Sequence, residues 1–176
     1  MPNPAIRHSF IQATSPLMGT ASGSVTRPAN TTQYTIGDSI NTAAGAVIEL
    51  DLGAESVKPG QWLILKKVTV HSTAAQGTLP QITVVLSPTS FLEADSGVTM
   101  TDNDALALPA ATAKAAFPVA CSTGITYATN SVCHSGAIDQ PVKLAGTKLY
   151  AVLQAINAYT PISGEVFTVR LDFANA

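Results

Sequence analysis

Between residues 165 and 173 the chain sets Phe167, Val169, Leu171 and Phe173 on alternate positions, with Thr168, Arg170 and Asp172 between them. Successive side chains of an extended chain leave opposite faces, so a strict period of two dictates a half-buried β-strand. The same alternation occurs at residues 47–52, with Ile48, Leu50 and Leu52 against Glu49 and Asp51. It recurs at residues 81–87, with Ile82, Val84 and Leu86 against Gln81, Thr83 and Val85. Residues 61–72 form a long apolar run whose doubled Lys66-Lys67 marks a bulge or a strand end. Residues 148–156 are almost continuously apolar, which fits a strand covered on both faces, with a short helix as the alternative.

Turn formers separate these runs: Gly37-Asp38, Lys58-Pro59-Gly60, Ser87-Pro88, Gly146-Thr147 and Ser163-Gly164. One stretch, residues 110–116, has helix-forming character, and Pro118 closes it. Short strands with almost no helix predict an all-β fold, a β-sandwich or jelly-roll-like single domain. A doubly wound α/β fold is excluded, because parallel strands need crossover helices. Residues 90–136 are the least regular and read as long inserted loops. Residues 1–25 read as an extended N-terminal arm, interrupted by Asn3-Pro4, Ser15-Pro16, Gly19 and Ser22-Gly23-Ser24, and the sandwich domain as residues 26–176. The arm's apolar side chains, Ile6, Phe10, Ile11, Leu17 and Met18, are candidate anchors on a neighbouring subunit.

Charge narrows the function. Only 11% of the 176 residues are charged and the net charge is -2, so there is no basic stripe for nucleic acid. No apolar run is long enough to span a membrane. Polarity falls instead to 35 hydroxyl residues, 21 Thr and 14 Ser. Hydroxyls carry no full charge to desolvate when a partner covers them, so such a surface suits a subunit of an assembly. The N-terminal residues have one charge, Arg7, and lack the apolar core of a signal peptide, which predicts synthesis in the cytoplasm.

No catalytic constellation stands out, so no enzyme, cofactor or metal is expected. His8, His71 and His134 are far apart and sit in an arm, a strand end and a loop. Asp102-Asn103-Asp104 opens like a calcium loop but lacks the turn glycine and closing glutamate of an EF-hand, and reads as an Asx-turn. Cys121 and Cys133, with His134 adjacent, fall short of a structural zinc set; two ordinary thiols in a loop-rich segment are expected, with a disulfide left open by spacing. Trp62 reads as core packing, and Tyr34, Tyr127, Tyr150 and Tyr159 are scattered candidates for a glycan platform.

Two segments carry a resemblance. Residues 26–38, Thr-Arg-Pro-Ala-Asn-Thr-Thr-Gln-Tyr-Thr-Ile-Gly-Asp, resemble a stretch near the N-terminus of structural proteins of tailed bacteriophages, and residues 158–167, Ala-Tyr-Thr-Pro-Ile-Ser-Gly-Glu-Val-Phe, are similar to their closing segment. Thr101-Asp102-Asn103-Asp104 is similar to a loop found between them. The resemblance implies a virion protein, in particular a capsid decoration (cement) protein that binds the outer shell as a homotrimer, with itself and the major capsid protein as partners. A tail or head-fibre module binding a receptor or glycan is the alternative. Within the first motif, Pro28 fixes its own φ and biases Arg27 toward extended geometry. Tyr34 is expected as a core or interface aromatic with a polar tip. The Arg27 guanidinium is placed to take a carboxylate, within the domain or across a subunit boundary.

Overall fold

The computed structural model describes residues 18–53, 57–75, 79–91, 100–108 and 116–176. These build an all-β sandwich of two antiparallel sheets. The strands are β1 (Met18–Thr26), β2 (Ser39–Ile40), β3 (Ile48–Asp51), β4 (Trp62–Ser72), β5 (Ile82–Ser87), β6 (Phe117–Cys121), β7 (Thr123–Thr126), β8 (Ser131–His134), β9 (Gln140–Lys143), β10 (Lys148–Ala155) and β11 (Val166–Asn175). The first sheet runs β1-β11-β4-β8-β7, with β9 beside the opening half of β4. The second runs β2-β10-β5-β6, with β3 beside the opening half of β10. Pairing is nested: the first strand lies against the last, β2 and β3 against β10, β4 against β8 and β9, and β5 against β6.

The alternating runs become the strands that face each other. Phe167, Val169, Leu171 and Phe173 of β11 are buried against Ile82, Val84 and Leu86 of β5 and Leu149 and Leu153 of β10 in one core between the sheets. Each such side chain contributes roughly 1.5–3 kcal/mol by leaving water. Asp172 pairs with Lys67 and Phe173 with Leu65, so Lys66 is the extra residue of a bulge, at the doubled lysine.

β10 is covered on both sides. Its outward Val152, with Val85 of β5, lies under Phe91 and Met100, and Leu106, Leu108 and Tyr150 pack around them. The chain between β5 and β6 thus supplies a second, smaller core on the outer face of the second sheet. Only Ser122 separates β6 from β7, so the chain steps there from one sheet into the other.

Several expectations need correcting. Residues 18–25, read as part of the arm, belong to β1, which pairs with β11 without a break from Met18 to Thr26. Gly19 and Gly23 are not chain breakers here. A Cβ on Gly19 would sit 2.4 Å from the Phe173 ring, and one on Gly23 would sit 2.5 Å from the Glu49 carbonyl oxygen. They are glycine because the sandwich is thin at this edge. Residues 90–136, read as loops, contain β6, β7 and β8; Pro118 and Gly124 disguised them. His134 accordingly ends a strand. Trp62 opens β4 and is 51% exposed, not core. The predicted helical stretch at residues 110–116 lies outside the described residues except for Ala116.

Candidate functional site: a buried arginine cluster and an open hydroxyl face

Arg27 directly follows β1, where its backbone N–H donates to the Glu165 carbonyl at 3.1 Å. Its side chain points inward and is fully buried. All five N–H donors of the guanidinium are used. Nε donates to the Tyr34 hydroxyl at 2.7 Å, Nη1 to the carbonyls of Asn30 and Ile162 at 2.9 and 3.3 Å, and Nη2 to Asn30 Oδ1 and Asp102 Oδ2, both at 3.1 Å. The Tyr34 hydroxyl passes the network on by donating to Asp102 Oδ1, which also accepts from the Asn41 backbone N–H at 3.1 Å.

Tyr34 is itself held in the core. It forms an isolated β-bridge with Tyr159, and the two rings stack at 5.0 Å between centroids. On the far side of Tyr159, the buried Glu165 accepts from Ser72 Oγ and from the Ile162 N–H. Burial alone lowers the pKa of Arg27, but the Tyr34 hydrogen bond and the Asp102 charge outweigh it and the net shift is upward. Burial, reinforced by the hydrogen bond to Asp102, pushes the Tyr34 phenol well up. At any ordinary pH Arg27 is therefore cationic and both tyrosines are neutral.

This arrangement can hold chain segments together, and it presents no group to a substrate. Asp102 lies on the strap of residues 100–108 that covers the second sheet. The strap is fixed further by Ser39 N donating to the Asp104 carbonyl at 2.7 Å and Leu106 N donating to the Gly37 carbonyl at 3.0 Å. The Asp102-Asn103-Asp104 stretch does make a turn, with Asn103 at φ 66°, but its first carboxylate is the partner of Arg27. Sequence reading singled out both residues and did not join them. The three segments carrying the resemblance meet here: Arg27 and Tyr34 from the first, Asp102 from the middle loop, Tyr159, Ile162 and Glu165 from the last.

The other candidate residues divide. Arg27 takes its carboxylate, Asp102, within the domain; Tyr34 is a core residue; Pro28 is half-buried beside them. Met18 is 60% exposed at the start of β1. Ile6, Phe10, Ile11, Leu17 and His8 lie outside the described residues. Of the four tyrosines, Tyr34 and Tyr159 are buried, Tyr150 packs on the smaller core, and Tyr127 is exposed. Cys121 and Cys133 are free, buried thiols on β6 and β8, and burial pushes both up to about 12. Among the described residues no group of three or more His, Cys, Asp or Glu side chains is placed to hold a metal ion.

A second feature was missed because it needs the register. The outer face of the first sheet lines up Thr20, Ser22 and Ser24 of β1 with Asp172, Arg170 and Thr168 of β11, then with Lys67, Thr69 and His71 of β4. Ser24 Oγ and Thr168 Oγ1 are 2.8 Å apart. No strap covers this face among the described residues. Five hydroxyl side chains, Thr20, Ser22, Ser24, Thr69 and Thr168, thus share one open sheet face with Asp172, Arg170, Lys67 and His71.

No protein-family model matches the chain, and no curated protein does. Among solved structures it is similar to one titled "Cyanophage Pam1 capsid asymmetric unit", at 13% identity and a TM-score of 0.38, over 99% of this chain and 100% of that one. So low a score says nothing further about this protein. What fold and cluster define by themselves is a two-sheet β-sandwich pinned by an internal arginine–carboxylate network.

Proposed function

We propose that this chain is a non-enzymatic virion structural protein of a tailed bacteriophage, a capsid decoration protein that binds the outer shell and stabilises capsomer contacts. The observation carrying this reading is the convergence of the three resembling segments. Arg27 and Ile162, separated by 135 positions, are in direct hydrogen-bond contact. Three chance matches scattered along a chain have no reason to meet in one buried network, whereas three remnants of one structural unit do. The open outer face of the first sheet supports the same reading through Thr20, Ser22, Ser24, Thr69 and Thr168, whose hydroxyls lose little when covered.

Partners follow from the role: the major capsid protein, and other copies of this chain in a homotrimer. Symmetry-linked contacts that are each modest raise the effective concentration of the next contact, so avidity exceeds single-site affinity. The virion surface is the resulting location. A glycan-binding fibre module has less support, because two of its four candidate tyrosines are buried.

The test is to mix the purified protein with particles of its phage that lack it, sediment them, and heat them. Co-sedimentation at fixed stoichiometry with a raised capsid disruption temperature is expected. Protein left wholly in the supernatant would overturn the reading.

A further inference from the structure

At one end of the first sheet the register gathers a further set of side chains. His71 of β4 lies opposite Thr168 of β11 on one side and Val132 of β8 on the other, and Val132 lies opposite Ile125 of β7. Beyond this row the β7–β8 hairpin closes, with the Tyr127 N–H donating to the Asn130 carbonyl at 2.7 Å. Residues directly opposed across a hairpin project from the same face, and alternation from Ile125 and Val132 puts Tyr127 and Asn130 on the outer one. Between the hairpin and β4 is a cavity of about 300 Å³ lined by His71, Ser72, Thr73, Thr129, Asn130 and Thr168. The lining holds no carboxylate, lysine or arginine. The charged residues of the face, Lys67, Arg170 and Asp172, sit further along β4 and β11.

We infer that this cavity binds a neutral saccharide, one pyranose unit lying against the Tyr127 ring with its hydroxyls bonded to Asn130, His71 and Thr129. These three side chains are exposed, and among the described residues none of them spends a hydrogen bond inside the chain. Thr73 Oγ1 accepts from the Val166 N–H at 3.0 Å and keeps its own hydrogen to donate. A neutral imidazole, an amide and a hydroxyl each donate and accept, as a sugar hydroxyl does, so every pairing can be made in either sense. An ionic ligand would meet no opposite charge here. Tyr127 is 54% exposed beside Asn130, and its ring offers an apolar surface to the C–H face of a sugar. The volume lies at the small end of ligand cavities, roughly 300–1,000 Å³, and suits a single ring. A peptide is the other neutral ligand rich in donors and acceptors, but its backbone pairs best with a free strand edge, whereas this cavity opens on a sheet face. The site stands on side chains of β4, β11 and the β7–β8 hairpin alone, all of them described, and is independent of the decoration role.

Titration of the isotopically labelled full chain, followed by NMR at pH 8, tests it. The probes are glucose, galactose, mannose and N-acetylglucosamine, each taken to millimolar excess, with triglycine as the peptide counterpart. Saturable shifts of the Thr73, Thr129, Asn130 and Thr168 amides are expected with at least one of the four sugars. Tyr127→Ala and Asn130→Ala should each weaken that binding by about tenfold or more. Both positions are exposed, and unmoved amide signals from β4 and β11 separate lost binding from lost fold. Three results would each overturn the inference: no shift at these amides with any of the four sugars, shifts that survive both substitutions, or triglycine moving the same amides as strongly as the sugars do. Capsid sedimentation is read separately, so the saccharide site and the decoration role can fail independently.

Discussion

On the outer face of the second sheet, Val85 and Val152 lie under Phe91 and Met100, whereas the outer face of the first leaves Ser22, Ser24 and Arg170 exposed. Both sheets share one core, so the inner faces do not explain the difference. The second sheet is closed because the chain supplies a strap and then fastens it: Met100 fills the smaller core while Asp102, two residues on, is gripped by Arg27. The first sheet has no such cover among the described residues, and its outward positions are hydroxyl and charged. A buried polar network in one place thus holds one outer face closed, while the other stays open among the described residues.

Breaking the fastening should have the largest effect. Arg27→Met leaves the Asp102 carboxylate buried without its cation and should cost about 3–5 kcal/mol in chemical denaturation, with increased dye binding as the strap lifts. Pairing it with Asp102→Leu removes the stranded charge and should recover part of the loss. A cost for Arg27→Met as small as that of a surface change would mean the strap is held by its apolar contacts alone. Those contacts are probed by Phe91→Ala, which empties the smaller core and should cost about 3 kcal/mol.

The core between the two faces responds to alkali. Cys121 and Cys133 are raised from 9.0 to about 12 in the folded chain because burial disfavours the thiolate. Above pH 9 the unfolded chain releases thiol protons that the folded chain keeps, so the unfolded state gains. Their contribution is complete below pH 9 and lost as pH rises toward about 12. Denaturation midpoints should fall across that window, and Cys121→Ala should flatten the slope. Thiol reagents should label neither cysteine at neutral pH without denaturant.

How much of this could be read from the sequence varies by residue, for physical reasons. β3 and β11 were legible because one face meets the core and the other is polar, which writes a period of two, and β5 was legible from Ile82, Val84 and Leu86 although its outward Val85 is buried in the smaller core. β1 was not, because its inward positions Gly19 and Gly23 lack side chains where Phe173 and Glu49 approach, and glycine in a short window reads as a break. Trp62 misled in the opposite sense: apolar character favours burial but does not compel it, and the first residue of β4 projects past the core. The cluster was half legible. Arg27 was recognised as needing a carboxylate, but its partner lies 75 positions away on a turn whose local chemistry already explained an aspartate. Only the nested strand order brings the two together.

The smallest expected effect gives the sharpest comparison, because it applies one isosteric change in opposite directions. Thr168→Val on the open face removes a hydroxyl whose partner, Ser24 Oγ, can turn to water, so stability should move by no more than about 0.5 kcal/mol. Val85→Thr on the covered face buries a hydroxyl among Phe91, Met100 and Val152 and should cost about 1–3 kcal/mol. The two variants together change composition by nothing. If both prove neutral, the strap over the second sheet opens readily enough to hydrate the new hydroxyl, and the two faces differ less in solution than their packing implies. If Thr168→Val is the costly one, the open face is covered in the assembled protein, and its hydroxyls are already engaged by another copy.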